Sequence, residues 1–371
     1  MTDEKQMAGE VVRTAAKFAA RDIGPAAALV DHAAPVFPAE VFAKGVAAGF
    51  DRFVLPEDAG GYGFSRDQLC GLLSTLAQTC AGHAMVFGVH AAALNAIYGV
   101  CGHESRSLLE KVLFSGRAVG VTLGEPVSVE EPDTELTAEQ VSDGGVRLDG
   151  DGGLAFNASP DGFIVAFAGS RDAGYQAVLV DCAEAEESLG AAEAVLGLRA
   201  MTIARLEFHR IAIQPENVIA QGDNAAEFHK MLLGQLCLTV SAACAGVMHG
   251  AHRQALKYAS ERYQGGKMIV DHSHLQGILG SMSAKAGTAL GAVTHAACEP
   301  VDLLSALRVK AMVSDWAVQA CADAVQILGG YGYMRDYGLE KAMRDAAVLS
   351  LLPVSNARAE LLITRIEKEA L

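Results

Sequence analysis

The stretch from Gln326 to Arg365 constrains the fold of this chain more than any other part of the sequence. It reads QILGGYGYMRDYGLEKAMRDAAVLSLLPVSNARAELLITR, which is an apolar helix end, a glycine-rich turn and a second long helical pattern. Gly329, Gly330 and Gly332 lie close together, as is typical where the backbone takes a positive φ or where another group comes close to it. The sequence therefore predicts two helices joined by a turn that another chemical group approaches.

This stretch resembles the C-terminal signature of the acyl-CoA dehydrogenase family, and the match runs without a gap. The positions in register with that signature are Gln326, Gly329, Gly330, Gly332, Tyr333, Asp336, Tyr337, Glu340, Lys341, Arg344, Asp345 and Ala346. The resemblance implies an FAD-dependent fold, mostly tetrameric, in which FAD lies between subunits and electrons pass to an electron-transfer flavoprotein.

The same register shows a departure at the position of the catalytic base. The family's YEGT, which holds the glutamate that removes the substrate α-proton, is replaced by Leu352, Pro353, Val354 and Ser355. Proline has no titratable group, so it accepts no proton in any environment. Ser355 falls on the threonine of that motif, where the resemblance implies a contact with the cofactor.

Length and composition indicate a large globular protein. At 371 residues the chain exceeds the usual size of a single core, so two or three subdomains or one large composite domain are expected. Apolar residues make up 51% and charged residues 20% of the chain, which excludes general disorder.

Charge and hydropathy indicate the compartment and the classes of partner. A net charge of −15 and a pI near 5.2 argue against nucleic acid or an anionic membrane, because both bind basic surfaces. No uninterrupted run of 18 apolar residues occurs, and the start MTDEKQMAGEVVR is acidic and polar. We expect a soluble, cytoplasmic protein.

The cysteines and histidines predict no metal centre. Eight cysteines are scattered without a CxxC pair and are expected to be reduced core residues. The pairs His272/His274 and His249/His252 lack a carboxylate or cysteine companion, which makes them weak ligand sets.

The order of sequence patterns predicts an α+β fold. Residues 1–118 are helical in pattern, residues 119–225 alternate in short apolar runs, and residues 226–371 return to helix. We expect a helical N-terminal domain, a small middle β domain, as an antiparallel sheet or barrel, and a C-terminal four-helix bundle, within these three ranges. The resemblance implies the same architecture.

Residues 261–276 resemble the stretch in which an arginine of the family binds the FAD pyrophosphate, usually across a subunit boundary. Arg262, Ile269 and His272 are in register, and Gly265 replaces the usual phenylalanine. An arginine suits this role because its planar fork holds two phosphate oxygens and stays charged. The simpler alternative is an arginine that binds carbonyl groups at a helix C-terminus.

Gln326, Gly329 and Gly330 resemble the second dinucleotide contact of the family. There, backbone N–H groups and a side-chain amide meet the ADP half of FAD, and a Cβ would block the approach. A plain helix-capping turn is the alternative interpretation.

The middle domain shows a second departure from the family. The family's TEPGAGSD is reduced to Glu125 and Pro126, and Glu125 is the remaining candidate cofactor contact there. Its KxWITN aligns with residues 152–157, so the tryptophan and threonine against the flavin ring are lost. Phe156 could supply an aromatic face instead, although a core position in a strand is the simpler interpretation.

No other residue is an evident replacement for the base. In one branch of the family the glutamate lies on the long helix after the middle domain, and that position is Leu236 here, with Gln235 beside it. Glu125 belongs to the conventional Glu-Pro corner. Glu360 lies seven residues beyond Pro353, about two helical turns away.

Three functions fit these patterns. The first is a subunit of a heteromeric acyl-CoA dehydrogenase that contributes FAD contacts to a partner containing the base. The second is a stand-alone flavoenzyme whose reaction on a CoA thioester needs no α-proton base, such as reduction, desulfination, decarboxylation or hydroxylation. The third is a non-catalytic scaffold or thioester-binding module. A dimer or tetramer, homo- or heteromeric, is expected in the first case.

Overall fold

A computed structural model describes residues 2–33, 35–102, 106–122, 134–142, 144–170, 174–298 and 301–371. Helices occupy the first part of the chain. They are α1 (Thr2–Phe18), which runs into a π-helical turn at Ala19–Ile23, α2 (Gly24–His32), α3 (Ala39–Ala47), α4 (Arg66–Ala77), α5 (Ala81–Cys101) and α6 (Arg106–Ser115).

Within the described ranges, eight strands form the sheet that follows. They are β1 (Val119–Thr122), β2 (Thr137–Gln140), β3 (Val146–Phe156), β4 (Phe163–Ser170), β5 (Gly174–Asp181), β6 (Leu189–Ala192), β7 (Ile203–Ile213) and β8 (Val218–Gln221). Their order is β6-β7-β3-β1-β4-β5-β8, and β2 pairs with both β3 and β4. The division into domains at 118 and 225 stays a prediction.

The sheet is mixed, whereas the alternating pattern predicted an antiparallel sheet or barrel. β1 pairs antiparallel with β3 but parallel with β4, where Val119 lies opposite Phe163. A tight hairpin forces antiparallel pairing, whereas a strand that enters from elsewhere takes either direction. Because β1 follows α6 and no hairpin joins it to β4, periodicity does not reveal its direction.

Strand β4 separates two hydrophobic cores. Phe163, Val165 and Phe167 belong to the large core shared with the helices, whereas Ile164 and Ala166 belong to a smaller core on the other face of the sheet. Successive side chains of a strand point to opposite faces. Both faces of β4 are therefore buried, which explains its uninterrupted apolar run.

The last part of the chain is helical, apart from a hairpin of β9 (Tyr263–Gln264) and β10 (Lys267–Met268). Its helices are α7 (Asp223–Glu261), α8 (Ser273–Ala296), α9 (Leu303–Leu328), α10 (Leu339–Leu349) and α11 (Asn356–Glu369). The helical N- and C-terminal regions with a sheet between them confirm the predicted fold class.

The long helix predicted after the glycine-rich turn is interrupted. α10 ends at Leu349 and α11 begins at Asn356, with Pro353 between them. Proline lacks the N–H that would continue the helical hydrogen bonds, and its ring clashes with the preceding turn. Ser355 starts the second helix as its N-cap, with its hydroxyl accepting a hydrogen bond from the backbone N–H of Arg358 at 3.3 Å.

Helix α7 lies at the centre of the molecule. α5 and α7 each have the length and mean hydropathy of a membrane span, but the apolar windows concerned are 78% and 94% buried inside the structure. Both are therefore covered by protein as core helices are.

Two buried polar contacts tie the sheet to the helices. The Asn157 amide nitrogen, at the end of β3, donates to the carbonyl oxygens of Val86 (3.1 Å) and Val119 (3.0 Å). The Asp345 carboxylate on α10 accepts a hydrogen bond from the backbone N–H of Leu198 at 2.7 Å. These contacts satisfy backbone groups that burial would otherwise leave unpaired.

Close contact between α7 and α4 requires glycine at position 246. A Cβ on Gly246 would lie 2.1 Å from the carbonyl oxygen of Ser74. We expect Gly246→Ala to lower the free energy of unfolding by about 1–3 kcal/mol, because overpacking forces the helices apart. Chemical denaturation of the two proteins measures this difference.

Gly71→Ala on α4 is the matched control. A Cβ there would meet nothing closer than 4.0 Å. Alanine at this helical position should leave stability unchanged or raise it by up to about 1 kcal/mol. Equal stability of the two variants would contradict the close packing of α7 on α4.

Candidate functional site

Arg262 lies where α7 ends and the β9–β10 hairpin begins. Its backbone N–H donates to Tyr258 at 2.9 Å, and its carbonyl oxygen accepts from Ile269 at 2.8 Å. The hairpin is therefore anchored to the helix end, and the exposed Arg262 side chain projects from a fixed backbone. Among the described residues this side chain has no hydrogen bond or ion pair to a protein group.

Glycine at position 265 follows from the hairpin turn. Gly265 and Gly266 have φ of +64° and +86°, and both central residues of a type I′ turn need positive φ. The His272 ring donates from Nε2 to the carbonyl oxygen of Gln264 at 3.0 Å, and a Cβ on Gly265 would lie 3.2 Å from its Cε1. A phenylalanine at 265 would therefore be strained at this positive φ and would require the His272 ring to shift.

The end of α9 presents bare backbone to solvent. Gly329 has φ +57°, and a Cβ on Gly329 or Gly330 would meet nothing within 4 Å. The exposed Gln326 is one turn earlier on α9, and its side-chain amide has no protein partner among the described residues. An amide and glycine backbone thus face open space together.

One open cleft of about 800 Å³ joins these two helix ends. It brings together six of the predicted cofactor residues, namely Arg262, Ile269, His272, Gln326, Gly329 and Gly330. A cleft of this size is in the range of small-molecule sites. The structure places these six residues on one surface. That they bind the cofactor stays a prediction.

Two aromatic side chains that the sequence reasoning missed also line the cleft. They are Tyr258 and Tyr331, whose rings meet edge to face with centroids 6.3 Å apart. Tyr331 stands between Gly330 and Gly332 in the sequence. An aromatic residue inside a glycine-rich turn was the pattern from which its place in the cleft could have been predicted. Aromatic faces near an arginine suit a planar base attached to a charged group.

The residues of the cleft fit the ADP half of FAD. An arginine without a protein partner offers two parallel donors to phosphate oxygens, and the Gly329–Gly330 backbone leaves room for close approach. Arg262 and Gln326 would hold the diphosphate and adenosine part when FAD is bound.

Two other predicted cofactor residues are not in this cleft. Ser355 is half-buried at the start of α11, outside the residues that line it. Glu125 lies outside the described residues. Phe156 is half-buried against the large core, and Leu154, at the family's tryptophan position, is 39% exposed.

Of the candidate base positions that the structure describes, none holds a buried carboxylate. Pro353 is buried between α10 and α11, and Leu236 on α7 is 2% exposed. The neighbouring Gln235 accepts from the Arg66 guanidinium at 3.0 and 3.1 Å when its amide is oriented to suit. Glu360 is exposed on α11.

Lys310 holds the segment around residue 353 and was missed by the sequence reasoning. This lysine of α9 is fully buried, and its ammonium donates to the carbonyl oxygens of Ser350 (2.8 Å) and Val354 (2.5 Å) and to the side-chain oxygen of Asn356 (2.6 Å). Its signal in the sequence was a lysine on the apolar stripe of α9, three residues after Leu307.

A second, polar cavity of about 340 Å³ lies between the N-terminal helices and α10. Cys80 lies on its wall with Lys341, whose Nζ is 3.3 Å from the Cys80 sulfur and 2.5 Å from the Asp345 carboxylate. Burial alone would raise the pKa of the Cys80 thiol, but Lys341 and His83 more than offset this, so the pKa of Cys80 is lowered to about 7.

This geometry predicts that Cys80 reacts with a small alkylating agent. Iodoacetamide should modify it with a midpoint near pH 7, because the thiolate forms as the pH rises through that value. The buried Cys70, Cys237 and Cys244 should resist, since burial raises the pKa of each thiol to about 12. Peptide-resolved mass spectrometry across a pH series measures the rates.

Lys341→Met separates the lysine's effect from simple access. It should slow the modification of Cys80 and move its midpoint to higher pH, while the exposed Cys298 keeps its rate. An unchanged midpoint in this variant would show that Lys341 does not stabilise the thiolate.

Comparisons with known proteins cover most of the chain. Residues 2–112 match the profile described as acyl-CoA dehydrogenase, N-terminal domain, and residues 229–353 match that of the C-terminal domain. The chain is 27% identical over 379 residues to an acyl-CoA dehydrogenase of Bacillus subtilis, covering 98% of both chains. It is 27% identical over 383 residues to the acryloyl-CoA reductase (NADH) of Anaerotignum propionicum, covering 98% of this chain and 94% of the other.

A solved structure shares the fold over nearly the whole length. A chain in the structure of the electron transferring flavoprotein of Acidaminococcus fermentans has a TM-score of 0.90 and 25% identity, covering 99% of this chain and 98% of that one.

Proposed function

The chain belongs to the acyl-CoA dehydrogenase family, and from this premise we propose that it is the base-lacking subunit of a heteromeric FAD-dependent acyl-CoA dehydrogenase. Its substrate class is a CoA thioester. The observation that carries the proposal is the contrast between two parts of the molecule. The cleft holds Arg262, Gln326, Gly329 and Gly330 on one surface, whereas position 353 holds a buried proline.

The two losses lie at the reacting end of the site. No proton acceptor stands at position 353, and the tryptophan and threonine expected around residues 152–157 are absent. Loss of a general base typically costs 10²- to 10⁴-fold in rate. A chain that lacks these groups but retains the dinucleotide contacts is suited to completing a site whose reacting end lies in another subunit.

The chain's own residues bind and orient in this proposal. Bound FAD supplies the hydride acceptor for the Cβ–H bond of the thioester. Arg262 holds the diphosphate, the Gln326 amide and the Gly329–Gly330 backbone hold the adenosine half, and the partner's carboxylate takes the α-proton. We further propose that the assembly is a cytoplasmic dimer or tetramer.

An electron-transfer flavoprotein is the proposed electron acceptor. The support is the similarity to a chain in a structure of such a flavoprotein, at 25% identity over 99% of this chain. The acidic net charge of −15 supports the absence of nucleic acid and anionic membranes among the partners.

A stand-alone flavoenzyme is the second candidate. The observation that favours it is that the acryloyl-CoA reductase is as similar to this chain, at 27% identity, as the dehydrogenase is. The two proposals differ in composition, because the stand-alone enzyme needs about one FAD per chain without any partner.

Coexpression with base-containing homologues from neighbouring genes tests the first proposal. We expect this chain to copurify with one of them in a fixed ratio, and the chain expressed alone to hold less FAD per chain than the complex. Affinity purification with a tag on this chain, followed by flavin quantification, measures both. If the chain purifies alone with one FAD per chain and oxidises a thioester, the heteromer proposal is wrong.

Arg262→Met tests the cofactor cleft. Because a charge-assisted hydrogen bond contributes about 1.5–3 kcal/mol, the dissociation constant for FAD should rise roughly 10- to 100-fold. FAD titration of the deflavinated complex measures it. Arg308→Met is the control, since Arg308 is an exposed arginine of α9 that pairs with Glu367. Equal losses in both variants, or none in either, would count against Arg262 as a ligand.

A further inference from the structure

Lys310 is fully buried, and its ammonium donates hydrogen bonds to the backbone between α10 and α11. It binds the carbonyl oxygens of Ser350 and Val354, which stand on the two sides of Pro353. Burying a charged amine is expensive unless its donors are paired. The hydrogen bonds to these carbonyls therefore have a clear function, which is to hold the chain where it leaves α10 and enters α11.

The third anchor of Lys310 is fixed in turn. The Asn356 side-chain oxygen also accepts from the Ser314 hydroxyl at 2.9 Å, and its nitrogen donates to the Asp315 carboxylate at 2.8 Å. Lys310, Ser314 and Asp315 are all on α9, so the start of α11 is tied to one helix by several contacts. The segment between Ser350 and Asn356 thus has little freedom on either side of residue 353.

We propose that Lys310 is a positioning residue that keeps residue 353 in the place of a proton acceptor, so that this chain retains the backbone support of a base site without its carboxylate. The inference rests on the proposed thioester function. It goes beyond it because it assigns a role to Lys310 and predicts that one substitution restores a chemical step to this chain.

The ammonium also favours the charged form of a carboxylate placed beside it. A nearby cation lowers the pKa of a carboxyl group. A glutamate at position 353 is therefore expected to be ionised at neutral pH and able to accept a proton. A hydrophobic residue at 310 would leave the Ser350 and Val354 carbonyls unpaired and would remove this charge.

The restored step is a proton transfer without net oxidation. The C–H bond at the thioester α-carbon breaks, the electron pair stays on the resulting enolate, and an O–H bond forms on the carboxylate that the Pro353→Glu substitution introduces. Exchange of that proton with D₂O and its return places deuterium on the α-carbon. No oxidant or reductant is consumed.

The experiment compares Pro353→Glu with Pro353→Gln in the full-length chain supplemented with FAD. Acetyl-CoA and butyryl-CoA are incubated in D₂O, and deuterium at the α-carbon is measured by mass spectrometry. We expect Pro353→Glu to exchange at least about tenfold faster than the wild type and Pro353→Gln, because only the carboxylate accepts a proton. Binding of both thioesters is measured in parallel by equilibrium dialysis.

Lys310→Met in the Pro353→Glu background tests the positioning role. It should slow exchange at saturating thioester by about tenfold or more, because small misplacements of a base are costly. It should also raise the pH midpoint of exchange, which a purely structural residue would not do. Lys285→Met is the control, since Lys285 is half-buried on α8 and bonds only the Gln319 side chain among the described residues.

Each outcome decides the inference. Exchange by Pro353→Glu that slows and shifts its pH midpoint in the Lys310→Met background supports it. Thioester binding without exchange by Pro353→Glu, or exchange that is indifferent to Lys310, overturns it. Absence of thioester binding also overturns it, because the chain then has no pocket of its own, while the heteromer proposal is judged separately by copurification.

Discussion

The packing of α7 against α9 is the constraint on which the rest of the structure depends. α7 runs for 39 residues, and most of its middle is buried among α4, α5, α8 and α9. The two helices end at the same cleft, where α7 delivers Arg262 and α9 delivers Gln326 with the glycine turn. The geometry of the cleft thus depends on helix length and packing. A shift of α7 or α9 by one turn would move Arg262 or Gln326 by about 5 Å.

The features that the sequence predicted are those set by local patterns. The order of helical, alternating and helical patterns predicted the α+β fold, and the glycines from Gly329 to Gly332 marked the end of α9. Features that depend on contacts between residues far apart in the chain could not be predicted from the sequence. The parallel pairing of β1 with β4 and the contact of Lys310 with Val354, 44 residues away, have no local periodicity.

One prediction was wrong although its signal was present. The pattern from Leu339 to Arg365 indicated one long helix, but Pro353 interrupts it and Ser355 caps a new one. The same proline removes the proton acceptor and interrupts the helix, so one residue changes both the fold and the chemistry.

Two structural reasons likewise favour glycine over phenylalanine at position 265. They are the positive φ of the hairpin turn and the short distance to the His272 ring.

The two ends of the proposed site have different requirements. Holding a dinucleotide needs donors, an open backbone and space, and these are present in the cleft. Removing a proton needs a titratable group at one position, and the chain has the support for such a group without the group itself. Lys310 shows that the support is still built, with hydrogen bonds on both sides of the position that the proline occupies.

Anaerobic mixing of the FAD-saturated chain with butyryl-CoA tests this account most directly. We expect the flavin spectrum of the isolated chain to keep its oxidised form, while the complex with a base-containing partner is bleached by the same thioester. Rapid and complete bleaching by the isolated chain would contradict it, because the chain would then remove the α-proton and the hydride without a base from any partner.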